Sequence, residues 1–527
     1  FGKRKNYQKV GKNFFFFFPT PGRPPGGISP GGRRFSVTAD SICRASSRQP
    51  SGAPSASSSP VKEEIPLDLY RKLIADTALF GISTFGARFL NFLLTPFYTR
   101  VLSSAEYGVT DLIIQSGDLI IPLASIGIAD GVIRFGLERS TDKSAVFTTG
   151  LTITLGGSAV LLAVSPLLER LPFLTGHMWL VLLYVMMANV HSVCDQFART
   201  MGHIRLFALD GILRTVAAIT CNILFLAVFS MGVTGYVLSS ILADALTTVL
   251  LFLCAKQWRH FRLSALSGRM AGQMLRYSAP LVPTSICGWI INISDRYLIA
   301  LLAGSAATGI YAVSNKIPTV LFTVANVFTS AWQLSSMREQ SREEKERFFS
   351  NVFSVYSSIA CVVASGVIMT ARLSTRMLAA PEYFEAWRYV PVLTLATTFA
   401  CLGSFLSSIY MVEKRSAATL VTTLLGAAGN LIGNVFLIQL WGPMGAAIST
   451  LLSYILIFGM RAIHTRSMIR LEWNVGRSLA NLFLLSAQCI SIEQDIPLWP
   501  VWSALCFLTV VAVDRKPLLD AIKKAIH

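Results

Sequence analysis

The chain has 527 residues, of which 53% are hydrophobic and 14% charged, with a formal net charge of +18 and a mean hydropathy of +0.56. A soluble domain carries about 25% charged residues, so this composition excludes an ordinary soluble protein and points to a polytopic membrane protein. The excess of Lys and Arg sits in short loops between apolar runs, without the interleaved aromatics of a single-strand binder. It therefore reads as positive-inside placement, and no nucleic-acid partner is expected.

Residues 1–66 differ from the rest. Phe14 to Phe18 stand in a row, followed by Pro/Gly-rich and Ser-rich stretches without helical period. Such a segment buries too little apolar surface to order itself. Its Arg and Ser content resembles an organelle transit peptide. The stronger expectation is translated upstream sequence with Val61 as a non-Met start, because no Met precedes Met178. No function is assigned to it.

From Leu67 onward the apolar pattern gives an all-α membrane protein of about fourteen spans. They lie near 73–97, 109–133, 145–167, 177–198, 207–230, 233–255, 274–301, 308–335, 348–370, 388–411, 417–440, 442–463, 477–492 and 497–513. Each full-length run is long enough to cross a ~30 Å hydrocarbon core as a helix, and no period-2 alternation suggests a barrel. With the N-terminus inside, 26 Lys and Arg fall in cytoplasmic segments and 5 in outer loops. That bias supports an even number of spans and two cytoplasmic termini.

A duplicated unit organises these spans. Asn91, Ser104 to Gly108 and Gln115 return at an offset of 201 as Asn292, Ser305 to Gly309 and Lys316. Gly232-x-x-Gly235 and Gly442-x-x-Gly445 form a second pair, at an offset of 210. Six spans separate the copies, so the halves share one orientation and are related by an axis along the membrane normal. The domains expected are residues 67–268 and 269–464 as two six-helix bundles, then 465–527 as two extra spans with a basic tail.

Charges inside a membrane span are costly and mark function by default. Asp111, Gln115, Asp118 and Pro122 share one face of the second span. Lys316, Thr319, Thr323 and Asn326 form a matching stripe on the eighth. Arg88 and Asn91, and Asn292, Asp295 and Arg296, add polar groups in the first and seventh. Two such stripes suit a central water-filled cavity, with Arg88 and Lys316 as cavity cations. Asp295-Arg296 has a blander reading as a local pair, or as a site near the outer boundary where Arg can snorkel. His191-x-x-Cys194-Asp195 lacks the fourth position of a zinc site. Gly426, Gly429 and Gly433 with Asn430 and Asn434 suit helix packing. The nine cysteines occur singly, and neither disulfide nor metal is expected. No Walker A, HExxH or GxSxG sequence is present, so no cofactor, ATP use or covalent catalysis is expected.

Leu90 to Ser103 with Glu106-Tyr107-Gly108 resembles the first-helix signature of bacterial polysaccharide (Wzx-type) flippases. These belong to the multidrug/oligosaccharidyl-lipid/polysaccharide exporter superfamily. Tyr277 to Pro283, Ser294 to Tyr297, Gly309-Ile310-Tyr311 and Lys316-Ile317-Pro318 resemble the family's seventh and eighth helices. Pro381-Glu382-Tyr383, Glu413-Lys414-Arg415 and Asn430/Asn434 with Gly442-x-x-Gly445 extend the likeness over residues 67–515.

The resemblance implies a cationic cavity between two bundles that opens alternately to each side of a bacterial inner membrane. It implies translocation of a lipid-linked oligosaccharide, on undecaprenyl pyrophosphate, towards a polysaccharide polymerase in O-antigen or capsule synthesis. On this reading Arg88, Arg296 and Lys316 contact the phosphates, and Asn91, Gln115 and Asn292 meet sugar hydroxyls. Asp111, Asp118 and Asp295 are candidates for a coupling H+ or Na+. The rival readings are an ion-coupled multidrug or organic-cation antiporter of the same superfamily and a polytopic glycosyltransferase or ligase. The antiporter would need an acidic, aromatic cavity; the ligase needs a large outer loop with catalytic groups.

Overall fold

The computed structural model describes residues 92–138, 140–170, 175–325, 342–413, 415–472 and 474–526, and the assigned elements there are all helical. Arg88, Asn91 and the 1–66 tail lie outside the described residues. The first half runs α1 (Thr95–Val101), α2 (Ser104–Ser125), α3 (Ile128–Gly136), α4 (Lys143–Leu168), α5 (Met178–Thr200), α6 (Ile204–Asn222) and α7 (Gly232–Cys254). A short amphipathic helix, α8 (Gly268–Ser278), leads to α9 (Val282–Ala303) and α10 (Ser305–Lys316). Then come α11 (Arg342–Met369), α12 (Ala371–Leu378), α13 (Val390–Val412), α14 (Ser416–Trp441), α15 (Pro443–Thr465), α16 (Val475–Glu493) and α17 (Trp499–Ile526).

Helices α2 to α7 pack on one another as a first bundle; α9, α11, α13, α14 and α15 form a second, and α16 and α17 lie against α11. The outward faces carry bare apolar side chains such as Val160, Phe436, Ile463 and Phe483. A water-soluble protein would not leave so many uncovered; in a bilayer they meet lipid.

Fourteen spans were expected. Among the described residues ten helices are long and apolar enough to cross a membrane, or eleven if a bent pair counts as one. The differences have physical places. The first expected span falls mostly before residue 92. The second is not one helix: α2 and α3 meet at 55°, because Ile126 and Gly127 are both left-handed (φ 52° and 62°) after Pro122. The seventh divides into α8 and α9 around Ala279-Pro280-Leu281. The eighth breaks at Ile317-Pro318, just beyond Lys316. Any 18-residue window of α17 contains Asp514, Arg515 and Lys516, so its inner end is polar. Asp514 is buried there, accepting from Ser358 Oγ at 2.7 Å and Asn481 Nδ2 at 2.8 Å.

The duplication is visible as geometry. The N-termini of α2 and α10 cross so closely that a Cβ on Gly108 would sit 2.0 Å from the Ser305 carbonyl oxygen. A Cβ on Gly309 would sit 2.0 Å from that of Ser104. Each glycine touches the other copy's first residue, as an axis between them requires. The Gly-x-x-Gly pair repeats as well. Gly232 and Gly442 precede or open α7 and α15 at φ 54° and 58°, a conformation that glycine adopts without Cβ strain. The copies differ in their caps. Ser103 and Glu106 close a capping box on α2, whereas α10 follows Gly304 with no side-chain cap.

Candidate functional site

The crossing of α2 and α10 lies at one end of a seam between the two bundles. Down α2, successive turns present Gly108, Asp111, Gln115 and Ser116 to the second bundle. Arg296 of α9 donates through Nη1 to both oxygens of Asp111, at 2.7 and 2.6 Å. Tyr297 Oη lies 2.7 Å from Ser116 Oγ. Trp289 Nε1 donates to the Gln115 carbonyl at 2.9 Å. Beyond the glycines, Ser104 N–H donates to Glu382 at 2.8 Å and Tyr383 Oη–H to the Leu102 carbonyl at 2.8 Å. The segment after α12 thus straps the end of the first bundle. Glu382 sits outside the spanning segments, and the hydrogen bonds from Ser104 hold its carboxyl below the usual glutamate range.

Below the seam lies a cavity of about 240 Å³. Gln115 reaches it from α2; Asn292, Asp295 and Arg296 from α9; Asn315 and Lys316 from α10; Thr397 from α13; Thr450 and Tyr454 from α15. Six residues singled out in the sequence, Gln115, Asn292, Asp295, Arg296, Lys316 and Thr319, therefore line one space. Asn292 is oriented there by Tyr454 Oη–H, which donates to its Oδ1 at 2.7 Å. Thr397, Thr450, Tyr454 and Asn315 were missed, since isolated Thr and Tyr in an apolar span read as packing residues.

The charges are not equivalent. Asp295 accepts from Tyr311 Oη–H and from the Arg296 backbone N–H, both at 2.8 Å. The two neighbours meet through the Arg296 backbone N–H, while the Arg296 guanidinium reaches across to Asp111. Arg296 is buried, and its Nε has no hydrogen-bond partner. Lys316, half-buried, has no hydrogen bond or ion pair among the described residues. The helix break after Lys316 leaves it at a helix C-terminus, where the dipole favours a cation.

Asp118 does not join the cavity lining. It accepts from Tyr184 Oη–H at 2.9 Å, within the first bundle. Deeper there, His191 Nε2 lies 3.0 Å from Asp210 Oδ2, and Arg214 pairs with Asp244. The His191 motif thus finds its partner on α6. In the second bundle Arg461, near the C-terminal end of α15, is buried. Thr422, Thr423 and the Gly403 carbonyl accept its three nitrogens at 2.8 to 3.1 Å. Asn430, accepting from Ser294 and donating to Thr450, ties α9 and α15 to α14.

Residues 97–378, 282 of the 527, match the family described as "Polysaccharide biosynthesis protein". The chain is similar to a protein of Haloferax volcanii named "Probable low-salt glycan biosynthesis flippase Agl15", at 24% identity over 78% of this chain and 86% of that one. Its fold is similar to a structure of the lipid II flippase MurJ in an inward closed conformation. That likeness has a TM-score of 0.65 at 12% identity, over 84% of this chain and 99% of the other. An inward-facing multidrug-resistance MATE transporter of the MOP superfamily gives a TM-score of 0.59 at 14% identity, over 72% and 95%. A family match over more than half the sequence and a helical membrane fold of this kind agree. The chain belongs to the polysaccharide biosynthesis protein family, and it has the helical membrane fold seen in MurJ and in the MATE transporter.

Proposed function

We propose that this transporter flips a lipid-linked oligosaccharide from the inner to the outer leaflet by alternating access. A phosphate-bearing head group cannot cross hydrocarbon unaided, because its charge would be desolvated. The observation that carries this reading is the polar cavity between bundles with Lys316 unpaired in it. Lys316 and Arg296 are the phosphate contacts, Arg through its fork and Lys as a point charge. Gln115 and Asn292 face the first sugar, with Asn315 and Thr397 beside them. Arg88 and Asn91 are proposed in the same roles from sequence alone. The names given to the Haloferax protein and to MurJ support a flippase reading.

At about 240 Å³ the cavity is below the ~300–1,000 Å³ of ligand pockets. It suits phosphates and little more, so a whole oligosaccharide requires the bundles to move apart. The positive-inside bias supports cytoplasmic termini and the Gly108–Gly309 crossing at the outer end, and the family resemblance supports a bacterial plasma membrane. The apolar polyprenyl chain of the lipid stays in the bilayer interior, and a polymerase would consume the product. Asp118 and Asp295 are proposed for a coupling H+ or Na+; Asp111 has Arg296 as its partner. The cations of the cavity disfavour an organic-cation antiporter.

The test is translocation of a fluorescent undecaprenyl-pyrophosphate oligosaccharide in proteoliposomes. Lys316→Ala is expected to lower the rate at least tenfold, consistent with losing a charge-assisted contact of about 1.5–3 kcal/mol, with insertion unchanged. Equal rates in wild type and variant would count against the reading.

A further inference from the structure

Arg296 is not a vacant anion site. Its Nη1 holds both oxygens of Asp111, and the two side chains are each 9% exposed. Asp111 belongs to the first bundle and Arg296 to the second, so the pair is also a tie across the seam. It lies one turn from Gly108 on α2, between the backbone crossing and the Trp289–Gln115 hydrogen bond. Asp295 cannot take over as the counter-ion without surrendering the Tyr311 hydroxyl and the Arg296 N–H. Lys316, on the same cavity wall, has no hydrogen-bonded or ion-paired carboxylate among the described residues.

An incoming anion therefore meets two unlike cations. A single phosphate can pair with Lys316 and leave the seam as it is. Only a ligand with a second phosphate, reaching Arg296 while the first stays on Lys316, can displace the Asp111 carboxylate. Removing one partner from a buried ion pair is strongly unfavourable unless the remaining charge is matched, so that displacement needs a replacement anion at the guanidinium. Asp111, once released, no longer ties α2 to α9.

We propose that Asp111 is an internal stand-in for substrate phosphate, which makes the site selective for a diphosphate over a monophosphate and couples that selection to opening of the seam. This rests on the head-group reading of the cavity. It adds a selectivity residue that does not itself bind the substrate, and makes anion binding and bundle separation one event.

The test uses the full chain in detergent with inorganic pyrophosphate and orthophosphate as probes. Spin labels at Val101→Cys and Leu302→Cys, both exposed near the crossing end, report bundle separation in a background whose native cysteines are Ser. Calorimetry reports affinity. In wild type, pyrophosphate is expected to widen the label separation, and orthophosphate to bind without widening it. Asp111→Asn is expected to be wide without ligand and to bind pyrophosphate about tenfold more tightly. Asp111→Glu, which keeps the carboxylate, should stay narrow and respond to pyrophosphate, separating loss of charge from loss of fold. A narrow Asp111→Asn protein with unchanged pyrophosphate affinity overturns the proposal. If Lys316→Ala then still abolishes pyrophosphate binding, the head-group reading survives alone. Equal widening by orthophosphate overturns the selectivity. Absence of binding by either anion, in wild type and Asp111→Asn alike, removes both readings.

Discussion

Replacing Gly108 or Gly309 with Ala puts a methyl group where the two bundles leave no room. Each new Cβ would lie 2.0 Å from a backbone carbonyl oxygen of the opposite copy, where ordinary contact begins at 3.4 Å. A backbone oxygen near the start of a helix cannot swing aside as a side chain can, so α2 and α10 must separate by about 1.4 Å, the difference of those distances. Overpacking of this kind costs about 1–3 kcal/mol. Because the clash is between bundles, separation relieves it, and the cost becomes a shift of roughly 5–150-fold towards the state open at this end. The spin-label pair at Val101→Cys and Leu302→Cys should read a longer distance in both variants, and by similar amounts, since the two contacts are copies. Gly157→Ala is the control. Its Cβ would lie 1.7 Å from the Ala124 oxygen inside the first bundle, so it should lower thermal stability without lengthening the distance. If Gly108→Ala and Gly309→Ala lose stability like Gly157→Ala while the distance stays put, the crossing is packing and not a gate.

Two further outcomes follow from the same end of the molecule. Glu382 has its pKa held down in the closed form, so its contribution is present above the ordinary glutamate range and is lost as pH falls through the lowered value. Acidification below about pH 4, the ordinary glutamate range, should lengthen the label distance in wild type, and Glu382→Gln should flatten that dependence; a response unchanged in Glu382→Gln would refute the strap. Arg372 is sandwiched between Trp387 and Trp499 at 4.0 and 4.6 Å and also reaches Asp495 at 2.9 Å. Arg372→Lys keeps the charge but not the planar stack, and is expected to cost about 1–2 kcal/mol, read as a lower melting temperature; no change would mean that the stack holds nothing together.

The sequence made the repeat legible because its copies keep one offset, and the same residues turn out to touch. Gln115, Asn292, Arg296 and Lys316 were legible as polar groups in apolar runs, where burial in lipid leaves few other uses. Their partners were not. Asp111 and Arg296 are 185 residues apart, and no local pattern says which neighbour a buried guanidinium will choose. His191 likewise found Asp210 on the next helix. The break of the second span was half visible, in Pro122, but Ile126 in a left-handed conformation carries no sequence signal. The burial of Arg461 carries no local signal either, because its hydroxyl and carbonyl partners come from two other helices.

The central claim is that a diphosphate head group enters the space between the bundles. Thr397 lines that space without holding any of its charges. Labelling of Thr397→Cys by a membrane-impermeant thiol reagent, in the full-length protein with the native cysteines replaced by Ser, tests the claim directly. Undecaprenyl pyrophosphate is expected to protect this position, and Lys316→Ala to abolish the protection. Labelling at the same rate with and without the lipid would contradict it.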